Sequence, residues 1–123
     1  MASGERVLLI DWPSLDVPES LARSGYYVVA QEGPSTYVEY EMDGDTVSRR
    51  EADEPTAVDT VYAYRPLHEL PDIVAMASSL GALTVWWETG PEPATPDDLE
   101  RAREIVTSAG LAFRDGRPPV RSA

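Results

Sequence analysis

Residues 58–90 decide the fold, and they read VDTVYAYRPLHELPDIVAMASSLGALTVWWETG. Two apolar runs rich in β-branched and aromatic residues, at 59–64 and 83–87, enclose a segment whose apolar residues recur at helical spacing. Such runs are typical of strands that are buried on both faces of a parallel sheet. The stretch therefore predicts a strand–helix–strand unit, with Gly81 closing the helix.

The same alternation continues toward both ends of the chain. Residues 6–11 and 26–30 are further apolar runs, and the short helix between them is predicted to begin with Asp16 as N-cap and Glu19 as capping-box partner. A last helix starts with the TPDD sequence of 95–98, and a short strand follows it. The predicted buried stripe of that helix consists of Leu99, Ala102, Val106 and Ala109.

Strands that alternate with helices predict a single α/β domain over residues 1–123, of Rossmann-like design. Its sheet should contain about five mostly parallel strands, with helices on both faces. Residues 37–49 should add a small β-hairpin excursion, because alternating patterns flank the turn sequence Asp43-Gly44. The tail over 117–123 is predicted to be loose.

Composition narrows the classes of partner. The net charge is -12, all ten basic residues are arginine, and cysteine is absent, which excludes disulfides, a thiolate nucleophile and a Schiff-base lysine. So acidic a chain should repel nucleic acid and anionic membranes. No apolar stretch approaches the roughly 18 residues of a membrane span, and no signal peptide is apparent, so a cytoplasmic protein is expected. The sequence leaves a homo-oligomer open.

Catalytic and metal-binding motifs are missing from the sequence. It has no Gly-x-Ser-x-Gly elbow and no Gly-x-Gly-x-x-Gly fingerprint. His68 is the one histidine, so it cannot complete a zinc site without cysteine, and we interpret it as a surface residue near a helix start. We therefore predict a protein that is not an enzyme and that holds no metal.

Three segments resemble the CoA-binding domain family, whose stand-alone members are similar to the N-terminal domain of succinyl-CoA synthetase α chains. They are VDTVYAYRP at 58–66, GALTVWWETG at 81–90, and a closing helix and strand with Ala102-Arg103 and Ala109-Gly110-Leu111. The resemblance implies a five-stranded Rossmann-like sheet. It also implies that CoA is the ligand, in a cleft at the carboxyl ends of the strands.

Carried over position by position, the resemblance implies a set of cofactor-binding residues that follow four of the strands. The set is Asp11, Trp12, Pro13, Ser14, Gln31, Glu32, Tyr64, Arg65, Pro66, Thr89 and Gly90. The sequence DWPS at 11–14 stands where the family has a small-residue loop that lets the backbone approach pyrophosphate. The carboxylates of Asp16 and Glu19, if they cap the first helix, would compete with a phosphate there.

Several side chains have two readings. Arg65 either grips a phosphate or carboxylate through its forked donors or forms a salt bridge to Asp11 or Glu88. Trp12 either stacks on a flat ligand or fills the cleft. Trp86 and Trp87 are neighbours in a strand, so they are predicted to pack on opposite faces of the sheet.

Two functions follow from these observations. The first is non-catalytic binding of CoA, an acyl-CoA or another nucleotide-type ligand. The second is that of a family member that does not bind CoA and serves as an interaction module or subunit. In that case the acidic hairpin, with Glu39, Glu41, Asp43 and Asp45, would meet a basic protein.

Overall fold

The computed structural model describes residues 5–89 and 94–116, and these residues form seven strands and three α-helices. The strands are β1 (Arg6–Ile10), β2 (Tyr27–Gly33), β3 (Thr36–Asp43), β4 (Thr46–Ala52), β5 (Thr60–Tyr64), β6 (Thr84–Glu88) and β7 (Ala112–Asp115). The helices are α1 (Val17–Arg23), α2 (Leu70–Ser79) and α3 (Pro96–Ser108), and a 3₁₀ turn over Leu67–Glu69 precedes α2. The α/β alternation predicted from the sequence is confirmed.

One sheet holds all seven strands, in the order β4-β3-β2-β1-β5-β6-β7. The five strands β2, β1, β5, β6 and β7 are parallel to one another. Along the chain β1 leads to β2 on one side, whereas β5, β6 and β7 follow on the other side. The direction of winding therefore reverses between β1 and β5, and ligands of open α/β sheets bind at such a switch point.

The predicted hairpin is present, but it belongs to the sheet. β3 pairs antiparallel with β2 through contacts such as Val29 with Glu39, and β4 pairs antiparallel with β3 through contacts such as Tyr40 with Arg49. The two strands thus extend the five-stranded parallel core on its β2 edge. This extension buries Val38, which is 2% exposed, so the hairpin contributes to the core and is not merely solvated.

The helices cover both faces of the sheet. Apolar residues of α1, including Val17 and Leu21, pack in one cluster with Trp86. Residues of α2 and α3, including Val74, pack in a second cluster with Trp87. The two tryptophans therefore lie on opposite faces, as predicted, and both are almost completely buried.

The start of α1 differs from the prediction, whereas the start of α3 agrees with it. α1 has no side-chain cap: the Asp16 carboxylate accepts a hydrogen bond of 2.5 Å from the Ser14 hydroxyl, and Glu19 pairs with Arg23 at 3.1 Å. The predicted capping box is therefore wrong, because each carboxylate has a nearer partner than the helix amides. In α3, Thr95 caps the helix as expected, accepting from the Asp98 amide at 3.1 Å.

The buried stripe of α3 is shorter than predicted. Ala102 and Val106 are completely buried, and Leu99 packs against the same core. Ala109 is exposed because the helix ends at Ser108 and this alanine is its C-cap. The predicted loose tail over 117–123 lies outside the described residues. Among the residues that are described, no helix is long and apolar enough to cross a membrane.

Candidate ligand-binding site

The carboxyl ends of the parallel strands bring several predicted site residues to one edge of the sheet. Ile10 of β1 pairs with Gln31 on one side and with Ala63 of β5 on the other. Asp11 and Arg65, which follow these two central strands, therefore lie next to each other at the switch point. Parallel strands make this edge the natural place for a ligand.

A cavity of about 370 Å³ opens at this position. Its lining consists of Ile10, Asp11, Gln31, Glu32, Gly33, Arg65 and Glu69. Four of these residues belong to the set that the family resemblance implied, and they come from the ends of three different strands. The sequence did not indicate Glu69, although its position four residues after Arg65 is the spacing at which helical side chains meet.

The other predicted positions lie outside this lining. Trp12 is half-buried and packs against the core cluster on the α1 side, and Tyr64 packs against the same cluster. Ser14 bonds to Asp16, and Pro66 is the N-cap of the 3₁₀ turn. The remaining positions of the predicted set are Pro13, Thr89 and Gly90, of which Gly90 lies outside the described residues.

Asp11 has an unusual backbone conformation. Its φ of 61° is in the left-handed region, where it is the one residue other than glycine among the described residues. Glycine adopts this region without a steric penalty, and aspartate and asparagine are the side chains that tolerate it best. Residue 11 thus has a backbone conformation that suits a small residue, and in this chain it carries a carboxylate.

Arg65 links Asp11 and Glu69, two other residues of the cavity lining, by charged hydrogen bonds. Its Nη1 donates to Asp11 Oδ2 at 2.5 Å, while its Nε and Nη2 donate to the two oxygens of Glu69 at 2.8 and 2.7 Å. The predicted salt bridge to Asp11 is confirmed. Glu88, the other predicted partner, instead accepts a hydrogen bond from the Tyr62 hydroxyl at 2.9 Å.

The main chain of Arg65 is fixed as firmly as its side chain. Its amide donates to the carbonyl of Glu88 at 3.0 Å, and its carbonyl accepts from the buried indole Nε1 of Trp87 at 2.9 Å. Both contacts anchor the residue to β6, the neighbouring strand. The guanidinium is thus presented to the cavity from a rigid part of the fold.

The ion pairs shift the pKa of Glu69 and the pKa of Arg65. The guanidinium of Arg65 holds the pKa of Glu69 below its ordinary value, mainly through the two hydrogen bonds. The carboxylates of Glu69 and Asp11 in turn raise the pKa of Arg65, which stays charged at any physiological pH. At neutral pH the lining therefore carries the three carboxylates of Asp11, Glu32 and Glu69 against one guanidinium.

The hairpin supplies a second group of ion pairs. Arg49 lies 3.3 Å from Glu32, and Arg50 lies 3.0 Å from Glu39 and 3.2 Å from Glu41. Two of the four acids proposed to meet a basic protein are therefore already paired within the chain. The interaction-module hypothesis stays a prediction.

Two further predictions concern histidine and metals. The His68 side chain is 81% exposed in the 3₁₀ turn before α2, so its interpretation as a surface residue near a helix start is confirmed. Within 5–89 and 94–116, no three His, Asp or Glu side chains are grouped so that they could hold a metal ion.

The sheet order, the switch point and the cavity define a doubly wound α/β protein with a cavity at the carboxyl edge of its strands. A family model described as "CoA binding domain" matches residues 11–116, which is most of the chain. The protein therefore belongs to the CoA-binding domain family. This confirms the family resemblance seen in the sequence.

Solved structures share the fold at low sequence identity. One is an uncharacterized protein with a TM-score of 0.57 and 16% identity, which covers 95% of this chain and 93% of its own. Another is Prb, the PH1109 protein redesigned for binding, with a TM-score of 0.60, 19% identity, and coverage of 94% and 78%. A third is cell-free ID.343 from Thermus thermophilus, with a TM-score of 0.53, 19% identity, and coverage of 94% and 84%. A search of curated proteins gave no match.

Proposed function

We propose that this protein binds CoA or a related adenine nucleotide in the cavity at the switch point, without catalysing a reaction. The observation that carries the proposal is the coincidence of two facts. The family match covers residues 11–116, and the cavity lies at the edge of the sheet where this class of fold binds nucleotides. Asp11, Gln31, Glu32 and Arg65 are the implied site residues that line it.

Arg65 is the group that would meet a ligand phosphate. A guanidinium binds phosphate oxygens through two parallel hydrogen bonds, and this one is 36% exposed at the mouth of the cavity. Within the described residues, its side chain donates hydrogen bonds to Asp11 and Glu69 alone, with three of its five N–H groups. A ligand phosphate would therefore compete with two carboxylates for the guanidinium, and we expect a moderate affinity.

The pKa of Glu69 supports a binding role without catalysis. A general base works best when its pKa lies near the operating pH. The pKa of Glu69 is shifted in the opposite direction, below its ordinary value, so its carboxylate is a weak base.

Calorimetry of the full chain with CoA and acetyl-CoA tests the proposal. We expect saturable binding, and we expect Arg65→Gln to weaken it about tenfold or more, since a charged hydrogen bond contributes roughly 1.5–3 kcal/mol. Arg23→Gln is the matched control, because it removes the same charge from a pair of the same i,i+4 spacing on α1. No heat and no thermal shift with either ligand at millimolar concentration would refute the proposal.

A further inference from the structure

Glu32 occupies a special position in the cavity. It lies in the last part of β2, next to the switch point, and its side chain is 29% exposed where it contributes to the lining. In doubly wound nucleotide-binding sheets an acidic side chain at the end of the second strand accepts hydrogen bonds from the ribose hydroxyls. A carboxylate can accept but cannot donate, so it requires hydroxyl donors on the sugar.

The carboxylate of Glu32 is held in place from the side of the hairpin. It accepts from the Tyr40 hydroxyl at 3.3 Å and from Arg49 Nη2 at 3.3 and 3.4 Å. Arg49 Nε donates to the same tyrosine hydroxyl at 3.1 Å, which ties the three side chains together. These contacts fix the direction of the carboxylate before any ligand arrives.

Arg49 is bound to Glu32 and does not itself line the cavity. Its side chain is 58% exposed on β4, and it is not part of the cavity lining. Its guanidinium is directed to Glu32 and stacks at 5.8 Å over the Tyr40 ring. The cation of the lining is Arg65, which Asp11 and Glu69 already bind.

CoA carries a phosphate on the 3′-oxygen of its ribose, and this phosphate brings about two negative charges at neutral pH. Placed beside Glu32, it would meet a carboxylate where a ribose hydroxyl would find an acceptor. Asp11 and Glu69 add negative charge to the same cavity. A phosphate and a carboxylate placed side by side repel each other, even when water screens their charges.

We infer that Glu32 makes the site selective for nucleotides with a free ribose diol, such as CoA lacking its 3′-phosphate or ADP, over CoA itself. This inference rests on the proposed function, since it names the ligand class of the same cavity. Glu32 acts as a specificity residue, because its carboxylate accepts hydrogen bonds from ribose hydroxyls and repels a phosphate on the ribose.

The test is calorimetry of the full chain with three ligands: CoA, dephospho-CoA and ADP. We expect dephospho-CoA to bind about tenfold more tightly than CoA, the factor that corresponds to about 1.4 kcal/mol of repulsion. Glu32→Gln should remove most of this preference, since glutamine keeps the size and one acceptor oxygen but loses the charge. Glu51→Gln, which removes a charge from an exposed position of β4, should leave the preference unchanged.

The possible outcomes separate this inference from the proposed function. CoA binding as tightly as dephospho-CoA, or more tightly, would overturn the inference and leave the proposed function standing. A selective loss of CoA binding in Arg49→Gln would also overturn it, because the 3′-phosphate would then be recognised by that arginine. Failure of all three ligands to bind would refute both. Should Glu32→Gln fail to fold, the wild-type comparison alone decides.

Discussion

Asp11 and Arg65, which are 54 residues apart in the sequence, form a 2.5 Å ion pair across the switch point of the sheet. The pair joins the ends of β1 and β5, the two strands between which the winding reverses. Its acid occupies the position at which the family resemblance implies a small residue, and its base is the cation of the cavity lining. Because Arg65 attracts a phosphate and Asp11 repels it, the two side chains together determine which ligands the cavity can bind.

The backbone of Asp11 leads to a first prediction, on stability. Asp11→Gly and Asp11→Ala both remove the ion pair, so the difference between them reports the conformation of residue 11. Because φ is 61°, alanine should be less stable than glycine by about 1 kcal/mol. Urea unfolding of both variants measures this difference. An alanine variant as stable as the glycine variant would show that residue 11 does not keep a positive φ.

The carboxylate of Asp11 leads to a second prediction, on ligand affinity. Asp11→Asn removes one charge from the cavity and one partner from Arg65, while asparagine still tolerates the left-handed backbone. We expect CoA to bind about tenfold more tightly to this variant, because less repulsion opposes its phosphates. Calorimetry measures the gain, and Asp16→Asn is the control, since Asp16 lies outside the cavity lining. Unchanged or weaker binding in Asp11→Asn would show that the Asp11 carboxylate does not oppose the ligand phosphates.

Local sequence patterns predicted most of the fold, because apolar periodicity and turn residues report local structure directly. They could not show that the hairpin joins the β2 edge, because the pairing of Val29 with Glu39 depends on the path of the chain in space. They also misplaced Ala109, since nothing in the pattern distinguishes the last helical residue from the C-cap. The packing against the core that was expected of Ala109 is supplied one turn earlier by Ile105.

The candidate site was predictable where it follows from topology. The ends of β1 and β5 had to meet at one edge, which brought Asp11 to Arg65. The contribution of Glu69 was not seen, although its i,i+4 spacing from Arg65 was visible in the sequence. The conformation of Asp11 could have been foreseen from the small residue that the family has at this position, because a residue in the left-handed region favours glycine.

A third prediction concerns the pH dependence of stability. Arg65 lowers the pKa of Glu69 in the folded protein, whereas the unfolded chain has the ordinary value of about 4.3. A depressed folded-state pKa stabilises the fold above the unfolded pKa, and this contribution disappears as the pH falls through the folded value. Glu69→Gln should therefore be less stable than the wild type at pH 6, and the gap should close as the solution is acidified below the ordinary pKa of a glutamate.

Urea unfolding at several pH values measures that gap, and an NMR titration measures the pKa of Glu69 directly. Arg65→Gln should return this pKa toward its ordinary value. Glu51→Gln provides the comparison, since it neutralises an exposed carboxyl on the edge strand β4 that is not bound to Arg65. A gap between Glu69→Gln and wild type that widens on acidification would contradict the assignment.

The last prediction concerns Trp87, whose indole is hydrogen-bonded to the main chain of Arg65. Its side chain is completely buried, and its indole Nε1 donates to the Arg65 carbonyl at 2.9 Å. Trp87→Phe removes this hydrogen bond and leaves both a small void and an unsatisfied carbonyl. We expect a loss of about 2–4 kcal/mol in the free energy of unfolding, and weaker nucleotide binding because Arg65 is less firmly positioned.

Trp86→Phe is the matched control for this effect. Trp86 is 1% exposed and also donates through its indole nitrogen, to the carbonyl of Gly116 at 2.9 Å, but it packs on the opposite face of the sheet. Its replacement should lower stability by a similar amount while leaving nucleotide affinity unchanged. The two variants share the loss of an indole and of one hydrogen bond, but only the Trp87 variant loses the bond to the Arg65 carbonyl. Equal losses of affinity in both would mean that general destabilisation, and not the position of Arg65, weakens the site.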